Sequence, residues 1–217
     1  MNDIILGIAT WGIPVLLAIT LHEVAHGWAA LSLGDRTAQM LGRLSFNPIK
    51  HIDPVGTIAV PLMLLISSSL MGLPPFVFGW AKAVPIDSRN LANPRHDMAW
   101  IAIAGPASNF VQAIAWALLF HFSFGSMTEA IQTIAVAGIT INIILIALNI
   151  LPIPPLDGSR IVAALLPNSL ALQYDRLEPY GFFILIGLMI MNWLTPIIMP
   201  IFLMVKSSVL LIAGITT

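Results

Sequence analysis

Leu21–His22–Glu23–Val24–Ala25–His26–Gly27 sits inside an otherwise apolar run from Ile4 to Leu33, interrupted by Pro14 and closed by Gly34–Asp35–Arg36. Crossing hydrocarbon takes about 20 apolar residues in helical form, so the run predicts a membrane helix. Ionisable groups packed this closely in such a helix are expensive unless they face a polar cavity or a metal. Met1–Asn2–Asp3 offers no basic n-region, and a cleaved signal does not carry ionisable residues in its apolar part. The helix is therefore expected to be retained. His22 and His26 stand at i and i+4, on one helical face. Two imidazoles so placed can hold one zinc ion, and the glutamate between them can act as a general base. The competing reading is a pair of interfacial histidines beside a helix end.

Composition agrees with a bilayer. Of 217 residues, 58% are apolar and 9% charged, against about 25% charged in a soluble domain. A soluble enzyme and a disordered tail are excluded. A net charge of −1 argues against nucleic acid as a partner. The absence of cysteine removes disulfides, thiolate catalysis and any Cys-based metal site. Sixteen prolines and fifteen glycines point to broken helices lining a cavity.

Outward from the first run, apolar stretches predict spans over residues 4–33, 98–124, 130–151 and 181–205, within a single membrane domain over 1–217. Residues 55–73 are apolar but broken by Pro61 and Gly72, with Pro74–Pro75 just beyond. His22 and Asp157 both follow most of a helix, so those helices should run in the same direction, with one full crossing between them. Residues 98–124 already supply it, and 55–73 is expected to dip in and return. That arrangement puts Arg36, Arg43, Lys50, Lys82, Arg89, Arg95, Arg160 and Arg176, eight of the nine basic residues, on one side. The positive-inside rule makes that side cytoplasmic. Residues 77–86, rich in Val, aromatic and small residues and ending near Val84–Pro85, read as an extended segment or hairpin.

Asp157 follows Pro152–Ile153–Pro154–Pro155–Leu156, a stretch that cannot stay helical. Gly158 allows a tight turn. The aspartate is either a third metal ligand projected sideways into the bundle or a cap for a helix starting near Ser159. Asn109 and Asn149 are amides in apolar spans. Each can serve substrate or an oxyanion, or act as helix–helix glue. Asn142 reads as packing or helix–helix glue.

His22–Glu23–Val24–Ala25–His26, then Gly105–Pro106–Ala107–Ser108–Asn109, then Asn149 to Gly158 together resemble the site-2 protease family of intramembrane zinc metalloproteases. The resemblance covers most of residues 10–165. It implies one zinc per chain, bound by His22, His26 and Asp157, with Glu23 as base. Asn149 and Asn109 fall on family motifs. Larger members add PDZ or CBS domains; a compact member is expected here.

The fold expected is an all-α polytopic membrane protein, a helical bundle with broken helices and a short β segment near the site. The function expected is an intramembrane zinc endopeptidase acting on single-span membrane proteins, in a prokaryotic plasma membrane, with its site toward the cytoplasm. An unwound substrate would add as a strand to Gly79, Trp80, Ala81 and Lys82. The alternatives are a membrane metal-ion carrier and a non-catalytic helix-binding protein.

Overall fold

The computed structural model describes residues 2–70, 79–123 and 129–215. Helix α1 (Asn2–Ser32) is followed by the short α2 (Thr37–Met40). A π-helical turn over Pro54–Ala59 leads into α3 (Val60–Leu70). Then come α4 (Pro94–Phe122), α5 (Glu129–Asn149), α6 (Asp157–Leu165), α7 (Asn168–Asp175), α8 (Glu178–Ile190) and α9 (Leu194–Ile212). Among the described residues, four helices are long and apolar enough to cross a membrane: Ala9–Ser32 within α1, then α4, α5 and α9.

Local chemistry sets the ends. Gly34, at φ 108, closes α1: its N–H reaches the Leu31 carbonyl and the Asp35 N–H the Ala30 carbonyl, the paired bonds of a Schellman cap. Pro94 opens α4, where its missing donor is harmless, and the Asp97 carboxylate accepts the Asn93 N–H. The same cap explains a departure from expectation. Residues 181–205 form two helices, not one span. Asn192 takes φ 56, with Asn192 N–H on Met189 and Trp193 N–H on Leu188. Asparagine tolerates that left-handed conformation, and α8 stops there.

Helix α4 is central, packing on α1, α5, α6 and α9. Ala113 and Ala117 of α4 meet Ile139, Ile143 and Ile146 of α5 and Val205 and Val209 of α9 in one buried cluster. Small side chains let the helices approach, and packing contacts rather than water exclusion hold them in lipid. Gly138 shows the tolerance: a Cβ there would overlap the Trp116 indole. Residue pairs give the directions. Ala18 meets Asn109 and His26 meets Ile101, so α1 and α4 are antiparallel. Asn109 meets Asn142 and Trp116 abuts Gly138, so α4 and α5 are antiparallel too. Helices α1 and α5 therefore run the same way.

Beyond α3 the chain comes back to where it left. The Trp80 N–H donates to the Gly56 carbonyl at 3.1 Å and the Lys82 N–H to the His51 carbonyl at 2.9 Å. The Thr57 hydroxyl donates to the Trp80 carbonyl at 2.8 Å. Residues 71–73 of the expected excursion, and Val77 and Phe78 of the expected extended segment, lie outside the described residues.

No strand forms among the described residues, which corrects the expected β segment. The reason is the lack of a partner strand. Alternate N–H groups from Trp80 to Val84 bond instead to a π-helical turn, to a 3-10 turn ending at His51, and to a side chain, Glu23.

Candidate metal centre

The site is built where α1, α4 and the start of α6 meet. His22 and His26 are buried, and their Nε2 atoms face each other at 2.9 Å. Asp157 approaches from α6, with Oδ2 3.3 Å from His22 Nε2 and Oδ1 3.4 Å from His26 Nε2. Leu156 occupies the N-cap position of α6, and no side chain caps the helix. The Asp157 carboxylate is thus turned to the histidines rather than to its own helix.

Glycines admit this convergence. A Cβ at Gly105 would overlap both imidazoles. A Cβ at Gly158 would meet the carbonyls of Ile150 and Leu151, so only glycine lets α6 begin this close to the end of α5. Gly181 of α8 lies as tightly against the Pro154 carbonyl.

Hydrogen bonding decides the protonation of the pair. His26 Nδ1 lies 2.7 Å from the Ile101 carbonyl, which can only accept. His22 Nδ1 lies 2.5 Å from Asn109 Oδ1. In the neutral imidazoles both Nδ1 atoms therefore carry the proton, and both Nε2 atoms present lone pairs. Asp157 Oδ2 is buried without a hydrogen-bond partner. Three acceptors thus converge with no donor among them, an arrangement that a cation satisfies. Their separations of 2.9 to 3.4 Å match the edge of about 3.3 Å expected for tetrahedral zinc with bonds of about 2.0–2.1 Å. Among the described residues these three form the group able to hold a metal ion, with ligand atoms within 4.8 Å of one another.

Residues 125–192 match the family model Peptidase family M50. The chain is 34% identical over 185 residues to "Putative zinc metalloprotease YwhC" of Bacillus subtilis, covering 82% of this chain and 78% of that protein. It is 30% identical over 191 residues to "Putative zinc metalloprotease Rip2" of Mycolicibacterium smegmatis, covering 86% of this chain and 67% of that one. The chain belongs to peptidase family M50. No solved structure gives a significant match. This M50 chain is a multi-pass integral membrane metalloprotease with zinc as its cofactor, and the donor set described above fits that ion.

The other residues singled out from sequence fall in different places. Glu23 lies beside the histidines on α1, its Oε2 accepting the Val84 N–H at 2.8 Å. Asn109 is fully buried, and its Nδ2 donates to the Ala18 carbonyl at 3.1 Å and to Asn142 Oδ1 at 2.8 Å. Both amide hydrogens are spent, so Asn109 has none to offer an oxyanion; it stands behind His22. Asn149 ends α5, with Nδ2 donating to the Leu145 carbonyl at 3.0 Å, which leaves its second amide hydrogen. Gly79, Trp80, Ala81 and Lys82 lie on the return from α3; the N–H groups of Trp80 and Lys82 are engaged, whereas those of Ala81 and Ala83 have no partner among the described residues.

Sequence reasoning missed the support around the site. The carbonyls of Ala18 and Ile101, the Val84 N–H and the Asn142 amide all hold first-named residues in place. Asn142 carried one signal, an amide in the middle of an apolar span, which in lipid demands a partner.

A polar knot ties the loops beside the site. Asp35, fully buried, accepts from Asn90 Nδ2 at 2.8 Å, from the Asp87 N–H at 2.8 Å, and from the N–H and hydroxyl of Thr37. Burial disfavours its charge, but the Thr37, Asn90 and backbone donors outweigh that and hold its carboxyl below the usual carboxylate range.

Proposed function

We propose that this M50 chain is an intramembrane endopeptidase that hydrolyses peptide bonds in or near the transmembrane segments of single-span membrane proteins. The observation that carries the reading is the donor-free convergence of His22 Nε2, His26 Nε2 and the Asp157 carboxylate, on and between helices apolar enough to cross a bilayer, with Glu23 beside it.

His22, His26 and Asp157 would hold the zinc. When bound, zinc supplies a Lewis acid that makes a water acidic enough to attack a peptide carbonyl near neutral pH. Glu23 takes the proton of the attacking water and passes it to the leaving amine. Its Oε2 is held by Val84, which leaves Oε1 for the proton. Asn149 has an amide hydrogen to stabilise the developing oxyanion. An unwound substrate backbone pairs along residues 79–83, where the N–H groups of Ala81 and Ala83, without a partner among the described residues, alternate with the engaged ones of Trp80 and Lys82.

The meeting of residues 51 and 82, with the parallel course of α1 and α5, supports a re-entrant reading of the excursion through α3. The basic residues then gather on one side, read as the cytoplasmic side of a prokaryotic plasma membrane.

The test is Glu23→Gln in protein reconstituted with a single-span model substrate. Cleavage is expected to fall by about 10²–10⁴-fold, the usual worth of general-base help, while bound zinc per chain stays at the wild-type level. Activity within tenfold of wild type would overturn the reading. A metal carrier would keep its metal flux in this variant and show no cleavage at all.

A further inference from the structure

We propose that Asn142 of α5 is a positioning residue for the metal centre: it fixes the side-chain amide of Asn109, and through it the tautomer of His22. The inference rests on His22 as a zinc ligand.

The two histidines are supported unequally. His26 Nδ1 bonds to the Ile101 carbonyl, a backbone oxygen that cannot turn round. His22 Nδ1 bonds to the Asn109 side chain, and an amide can rotate by half a turn and exchange its oxygen for its nitrogen. A rotated Asn109 would present N–H to Nδ1. The proton would then move to Nε2, and the lone pair facing the metal would be lost.

Asn142 stops that rotation. Its Nδ2 donates to the Gly138 carbonyl at 2.9 Å, one turn earlier on α5. That oxygen only accepts, so the Asn142 amide has one orientation and its Oδ1 faces Asn109. Asn109 Nδ2 donates to this Oδ1 and to the Ala18 carbonyl. A rotated Asn109 would set its oxygen against two acceptors at once. Both amides are fully buried, so no water can repair the mismatch. A relay from Gly138 through Asn142 and Asn109 to His22 thus runs with one polarity across α5, α4 and α1. The rival account, helix–helix glue, explains a bond between α4 and α5 but not a polarity anchored at both ends by backbone carbonyls.

The test is a double-mutant cycle on zinc affinity, measured on the full chain in detergent by competition with a chelator. Asn142→Leu is near in size and removes both bonds. It is expected to weaken zinc binding about tenfold, the lower end for partners that orient metal ligands. In an Asn109→Ala background the same change should matter less than about twofold, because its route to His22 is gone. Thermal unfolding of the metal-free proteins establishes that each variant folds, and Asn142→Ala replaces the leucine variant if that one does not. Equal losses in both backgrounds would show a merely structural role and overturn the proposal, as would unchanged affinity in the single variant. His22→Ala is run alongside. If it keeps wild-type zinc affinity, the ligand assignment itself falls. If it loses zinc while Asn142→Leu does not, the relay alone falls.

Discussion

The backbone N–H of Val84 donates to Oε2 of Glu23 at 2.8 Å, across 61 residues of sequence. The segment that carries Val84 thereby holds the carboxylate assigned as general base. Val84→Pro removes the donor, and a hydrogen bond to a charged group is worth about 1.5–3 kcal/mol. kcat is expected to drop by about 10–100-fold, with zinc content unchanged. Val84→Ala keeps the N–H and should stay within about threefold of wild type. Equal damage from both variants would assign the effect to the lost side chain, which is buried, and not to the bond.

Gly105→Ala is expected to damage the metal centre without touching any ligand. The new methyl group would overlap the rings of both His22 and His26, which Asn109 and the Ile101 carbonyl hold in place. Zinc affinity should fall by about 10–100-fold, the range seen when the surroundings of metal ligands are disturbed. Wild-type zinc stoichiometry after dialysis against a chelator would refute this.

Much of the site was legible because it is written locally. The i, i+4 spacing of His22 and His26 needs only a helix, and the prolines before Asp157 announce a break. The support was not legible, because it depends on register between helices. Nothing in the order of residues says that Asn142 faces Asn109, or that Val84 reaches Glu23. The expected strand near residues 77–86 failed for a related reason: β-favouring side chains describe an extended chain, and a ladder also needs a partner. The break inside 181–205 had a sign, Asn192 followed by Pro196. The uniform hydropathy around it concealed that a single left-handed residue can end a helix.

Asp35 gives the fold a pH dependence of known sign. Its carboxyl is held below the usual range in the folded chain. Its contribution is therefore present above the unfolded value of about 3.9 and is lost as pH falls through the lower, folded value. Asp35→Asn replaces one acceptor oxygen by a donor facing other donors. It should cost about 1–3 kcal/mol at pH 7. Thermal unfolding of both proteins in detergent should show a gap at pH 7 that narrows below about pH 4. A gap independent of pH would mean that the carboxylate charge is not what holds residues 35–37 to 87–90.

The excursion through α3 can be placed with respect to the membrane. Its two feet are joined by the Lys82 N–H to His51 bond and by the Trp80 N–H to Gly56 bond, so Lys50 and Arg89, flanking those feet, should face the same compartment. The chain has no cysteine, and single cysteines introduced at Lys50 and at Arg89 will report alone to an impermeant thiol reagent. Both side chains are exposed. Both positions should label from the cytoplasmic face, as the grouping of eight of nine basic residues requires. Glu129→Cys, at the opposite end of α4 and the start of α5, should label from the other face and calibrates the assay. If Lys50→Cys and Arg89→Cys label from opposite faces, the segment crosses the membrane. That result would overturn the re-entrant reading, because a crossing there would start α4 from the wrong face for its antiparallel contacts with α1 and α5.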